Sequence, residues 1–99
     1  MSKPIEKEVL REKFLKQVRL YAREWASYDN KTPQERCDGL TFSILALLDG
    51  SDPELPAFDL VARPHPDNEA YHATHGEDWV VDGQAINDDV CLHNLYYPK

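Results

Sequence analysis

A mostly α domain is predicted, built as an antiparallel helical hairpin, a Pro-rich extended crossing segment and two short C-terminal helices. Three observations predict it. Apolar residues recur at helical spacing through the first third of the chain, "KTPQE" spells a helix start, and prolines 53, 56, 64 and 66 forbid continuous helix in between.

The first helix is expected over residues 4–28. Leu10, Phe14, Val18, Tyr21, Trp25 and Tyr28 follow one another at spacings of four, four, three, four and three, which is a single stripe on a 3.6-residue period. Lys13, Lys16, Arg19 and Arg23 fall on the opposite side, so the outer face is basic and solvated, or else docks an acidic partner or the acidic body of a neighbouring subunit. Leu20 also points outward.

The second helix opens with Thr32 as N-cap, Pro33 at the first helical position and Glu35 completing a capping box. It runs to about residue 49, where Gly50 suits a left-handed stop. Cys37, Leu40, Ile44, Leu47 and Leu48 form its main stripe, while Phe42 and Leu45 point elsewhere, as in a helix covered on several sides. Gly39 inside it costs about 1 kcal/mol relative to Ala, which close approach of the first helix would explain. The short connection makes the pair an antiparallel hairpin.

"PAFDLVAR" alternates as a short extended segment, Phe58 in, Asp59 out, Leu60 in. "HPDNEAYHATHG" restarts a helix, with Pro66 at its first position, acids near its positive end and Gly76 as stop. "DWVVDGQAI" adds a short strand or loop anchored by Trp79, and Asn87 or Asp88 caps a last short helix. Trp25, Trp79, Phe42, Phe58, Tyr71 and Leu92 are expected in or around the core.

Ninety-nine residues, 41% of them hydrophobic, fit one domain spanning 1–99 with one modest core. No apolar run is long enough to cross a bilayer and the charged N-terminus is unlike a signal peptide, so a cytoplasmic protein with Cys37 and Cys91 reduced is expected, each a small buried hydrophobe. The formal charge of −7 is uneven: residues 1–31 carry eight Lys/Arg against five acids, and residues 32–99 carry three against thirteen. So acidic a body argues against nucleic-acid backbones, which are gripped by clustered Lys and Arg. Binding through Lys13, Lys16, Arg19 and Arg23 ranks last among the possible functions.

Candidate chemistry concentrates in the histidines. His72 and His75 share a helix face, and with Cys91 and His93 they offer N and S ligands for zinc, though without CxxC or HExxH spacing. Histidines ending a short helix more simply satisfy its carbonyls and its negative pole. His65, fixed between two prolines beside Asp67, is the candidate general base with Asp67 as its orienter, and the alternative is a helix entry with His65 as N-cap. Tyr71, His72 and Trp79 are the candidate ligand-binding residues around the same spot. Ser43 and Cys37 lack the surroundings of nucleophiles, and phosphate-binding glycine loops are absent.

Taken in order, "CDGL", "LLDG", "LPAF", "PHPD" and "GEDW", closing on "INDDVCLH", resemble a family of small bacterial, phage and prophage proteins, over residues 34–93. The family has no assigned activity, so the resemblance carries no catalytic residue over. It implies a setting, since small acidic phage accessory proteins commonly act by binding and blocking host proteins. The leading expectation is therefore a non-enzymatic module that binds a host or phage protein, with a homo-oligomer possible and no membrane or cofactor involved. The alternative is a ligand- or metal-binding protein or minor enzyme centred on residues 65–75.

Overall fold

A computed structural model describes residues 2–97. It is mostly helical, with α1 (Lys7–Ala26), α2 (Pro33–Leu48), α3 (Asn68–Thr74) and α4 (Leu92–Leu95), and no sheet among the described residues. The chain divides into two units: Met1–Phe58 with Leu92–Lys99, and Asp59–Cys91.

In the first unit α1 and α2 pack as the expected hairpin. Their direction follows from who meets whom. Trp25, late in α1, lies against Gly39 early in α2 and donates its indole N–H to Ser43 Oγ at 2.9 Å. Phe14, early in α1, meets Phe58 edge-on at 5.3 Å, and the Phe58 N–H bonds the Leu48 carbonyl at the far end of α2. Gly39 is buried and any Cβ there would overlap the Trp25 ring, so the missing side chain is what lets the helices close.

α1 starts at Lys7, not residue 4, because Glu6 is extended and makes no side-chain cap. α2 starts as its residues dictate: Glu35 N–H donates to Thr32 Oγ1 at 3.1 Å, and Thr32 N–H donates to Glu35 Oε1 at 2.8 Å. The Thr32 backbone N–H first, and the Thr32 hydroxyl second, hold the Glu35 carboxyl below its usual range. At the other end Gly50, at φ 93°, makes a Schellman stop: its N–H reaches the Leu47 carbonyl, and the Ser51 N–H reaches that of Ala46. The turn that follows folds back over the hairpin and buries Leu55. Leu47 and Leu55 are the buried large apolar residues among the described residues, with Leu47 at 0% exposure.

α4 packs on α2, with His93 edge-on to Phe42 at 5.4 Å and Tyr96 donating its hydroxyl to Asp38 Oδ1 at 2.8 Å. That bond to a carboxylate, aided by burial, holds the Tyr96 phenol above its usual pKa. The cap of α4 is Asp49, whose Oδ2 accepts the His93 N–H at 2.9 Å. Asn87 and Asp88, expected to cap it, do not: Asn87 Oδ1 accepts the Leu60 N–H instead. A cap read from local sequence has been replaced by one supplied across the fold.

The second unit is an α3 turn and a ribbon. Val61 and Ala85 form an isolated antiparallel bridge, flanked by bonds from Ala62 N–H to Gln84 O, Gly83 N–H to Ala62 O and Ile86 N–H to Leu60 O. α3 begins at Asn68, with Pro66 and Asp67 in the preceding turn rather than inside the helix, and stops at Gly76 with φ 71°. Several expectations of burial are corrected. Trp79 is 45% and Tyr71 58% exposed, Leu60 is exposed rather than inward, and Cys37 and Cys91 are both exposed. For Trp79, Tyr71 and Leu60 the reason is shared: a unit without a second layer has nothing to bury them against. Cys37 sits at the rim of the hairpin, beside Pro33 and Arg36 in a shallow groove, so the α2 stripe runs out into solvent at its first turn.

Candidate functional site

α3 and its C-cap gather three of the sequence candidates, Tyr71, His72 and His75. The Tyr71 ring lies 5.2 Å from that of His72, edge-on, and 4.4 Å from that of His75. Each imidazole is also engaged locally. His75 Nδ1 donates to the Tyr71 carbonyl at 2.6 Å, and His72 Nδ1 meets Glu77 Oε1 at 3.2 Å. His75 thus satisfies a last-turn carbonyl of its own helix, where such carbonyls lack partners, while the His72 ring is held by the Glu77 carboxylate.

His65 and Asp67 come together differently from a base and its orienter. His65 Nδ1 accepts the Asp67 backbone N–H at 3.1 Å, while the Asp67 carboxylate stands 3.7 Å from the same nitrogen. A nitrogen that accepts carries no proton to give to the carboxylate. The His65 carbonyl also accepts the Asn68 N–H, so His65 opens the turn into α3. Both side chains stand largely in water, without the desolvation that tunes a catalytic group. Trp79 is exposed in the extended stretch after α3, where the neighbouring Val80 N–H is tied to Asn68 Oδ1 at 3.1 Å.

The remaining metal candidates, Cys91 and His93, stay neighbours along the chain, and His93 is drawn into the first unit. Its Nδ1 lies 2.6 Å from Asp49 Oδ2, the oxygen that also accepts its backbone N–H. The Asp49 side chain is only 3% exposed. Burial pushes its carboxyl up, but bonds from the His93 N–H, the His93 ring and the Leu92 N–H outweigh that and hold it below its usual range. Asp49 was missed as a partner for His93. The signal was present: an acid at a helix C-terminus faces like charge from the helix dipole, and calls for a donor to offset it.

The largest feature is a surface. The unit Asp59–Cys91 holds eight acids against one Arg, and every one of the eight is exposed. None of its residues is buried, yet eight large apolar side chains stand in solvent on it, among them Val61, Tyr71, Trp79, Val80, Val81 and Ile86. "EDWVVD", residues 77–82, puts three acids and three large apolar residues side by side. No protein-family model matches the chain, and no curated protein or solved structure is similar to it.

Proposed function

We propose that the chain is a non-enzymatic protein-binding module, a small accessory protein of phage or prophage type that engages a host or phage protein, and that residues 59–91 form its contact surface. The observation that carries this reading is a unit with no buried residue but eight exposed large apolar side chains among eight acids. Apolar surface left open on that scale marks sites of protein contact, and the acids select a partner with a basic rim around an apolar patch. Aromatic anchors such as Trp79 and Tyr71 are the residue types that dominate interface energetics. The resemblance over residues 34–93 supplies the phage setting.

Affinity capture from bacterial lysate tests it, with the intact chain compared against Trp79→Ala combined with Val81→Asp. The expected result is a specific protein retained by the wild type and lost by the variant, with the helical circular dichroism of the two unchanged. Equal retention by both removes residues 59–91 as the contact surface.

A further inference from the structure

We propose that Asp49, Cys91 and His93 bind a zinc-class divalent ion where α4 meets the C-terminal end of α2, with water as the fourth ligand. The site goes beyond the contact surface proposed above and does not involve Trp79 or Val81.

One ligand atom from each residue, a carboxylate oxygen, a thiol sulfur and an imidazole nitrogen, lies within 4.8 Å of the other two. The cap of α4 assembles them. Asp49 Oδ2 accepts the His93 backbone N–H at 2.9 Å and stands 2.6 Å from His93 Nδ1. Cys91 directly precedes α4, and the peptide that joins it to Leu92 supplies a further N–H to the same carboxylate. Its place follows from that bond and from its covalent link to α4.

The surroundings suit an ion. The His93 ring is fixed from two sides, by Asp49 and edge-on by Phe42 at 5.4 Å, so two of the donors are ordered before an ion arrives. The Asp49 carboxylate is an almost wholly buried charge whose ionic partner is this one imidazole, with no Lys or Arg paired to it among the described residues. A divalent cation supplies the full counter-charge that such a group favours. Cys91 is exposed, which gives ion and water a way in.

The donors also select the class of ion. Thiolate and imidazole suit zinc and its first-row neighbours, whereas magnesium and calcium take oxygen ligands. Three protein ligands and one open position are a recurrent zinc arrangement. Proton balance is definite. A carboxylate can only accept, so Nδ1 carries the proton in the free chain. The ion takes that proton's place: the ring proton moves to Nε2, and the Cys91 thiol releases its own to solvent. Nδ1 and Oδ2 then part from 2.6 Å to about 3.3 Å, the spacing set by tetrahedral bonds of about 2.0–2.1 Å. His72 and His75, engaged by Glu77 and the Tyr71 carbonyl, take no part.

Titration of the reduced, chelator-stripped full chain tests the site, with zinc chloride by calorimetry and with cobalt(II) chloride by absorption. One ion per chain, a thiolate-to-cobalt charge-transfer band and a Tm raised by zinc are expected. Cys91→Ser should abolish the band, and Cys91→Ser and His93→Gln should each weaken zinc binding at least about tenfold. Cys37→Ser and His75→Gln should bind as the wild type does. Cys91 is exposed, so its substitution spares the packing, and comparing Cys91→Ser with Cys37→Ser identifies the thiol even where His93→Gln unfolds the chain. An unbound ion, an ion held without the cobalt–thiolate band, a band that survives Cys91→Ser, or binding lost with Cys37→Ser or His75→Gln overturns the proposal.

Discussion

Replacing Asp49 with Ala removes the group on which the C-terminal helix hangs. One oxygen accepts both the His93 N–H at 2.9 Å and the His93 ring at 2.6 Å. Losing a helix cap costs about 1 kcal/mol, and a charge-assisted bond about 1.5–3 kcal/mol. His93 keeps a quarter of its side chain in water and recovers some solvation, so the net loss should be roughly 2–3 kcal/mol. In a domain of this size that lowers Tm by about 10–20 °C, read by circular dichroism at neutral pH. Asp49→Asn keeps an acceptor without the charge and should cost less. The carboxyl is held below its usual 3.8 in the folded chain, so its ionised bonds stabilise the fold above that pH and are lost as pH falls through the lowered value. The gap between wild type and Asp49→Asn should therefore narrow as pH falls below about 3.8. An Asp49→Ala protein within about 0.5 kcal/mol of wild type, the spread of ordinary surface changes, refutes the capping role. So does an Asn gap of equal size at pH 7 and pH 3.

Two further outcomes follow from the hairpin. Gly39→Ala gains about 1 kcal/mol of helix propensity but drives a methyl into the Trp25 ring, and overpacking of about 1–3 kcal/mol should win; a raised Tm in thermal unfolding would show that the helices have room to part. Thr32→Ala should cost about 1 kcal/mol and let the Glu35 carboxyl move back toward its usual value, since the hydroxyl bond helps to lower it; an unmoved Glu35 titration by NMR would mean the capping box contributes nothing there.

The sequence was most legible where structure is set by neighbours in the chain. The capping box, the Gly50 stop and the clearance at Gly39 each follow from residues a few positions apart, or from one stripe meeting another. Legibility failed where partners are distant. Asp49 caps α4 from 44 residues away, and Asn87 turns to the Leu60 backbone instead; hydrogen-bond donors carry no address, so local propensity named the wrong cap. His72 lies in α3 and His75 at its end, as read, while His65 stands two residues before the Asp67 N-cap; the bonds of all three run to nearby backbone and to Glu77. Sequence shows which groups are near along the chain, and leaves open whether they face a shared centre or their own helix.

The misjudged burial of Trp79 and Tyr71 has the most functional weight. An apolar residue in a short chain is assigned to the core by default, because burying it stabilises the fold by about 1.5–3 kcal/mol. In residues 59–91 eight such residues forgo that gain, and the acids among them keep the free surface dissolved by mutual repulsion. Trp79 shows the combination most clearly, with Glu77 and Asp78 just before it and two valines just after. On the proposed reading, a surface that leaves large apolar side chains open among acids keeps that burial energy for a partner of opposite charge.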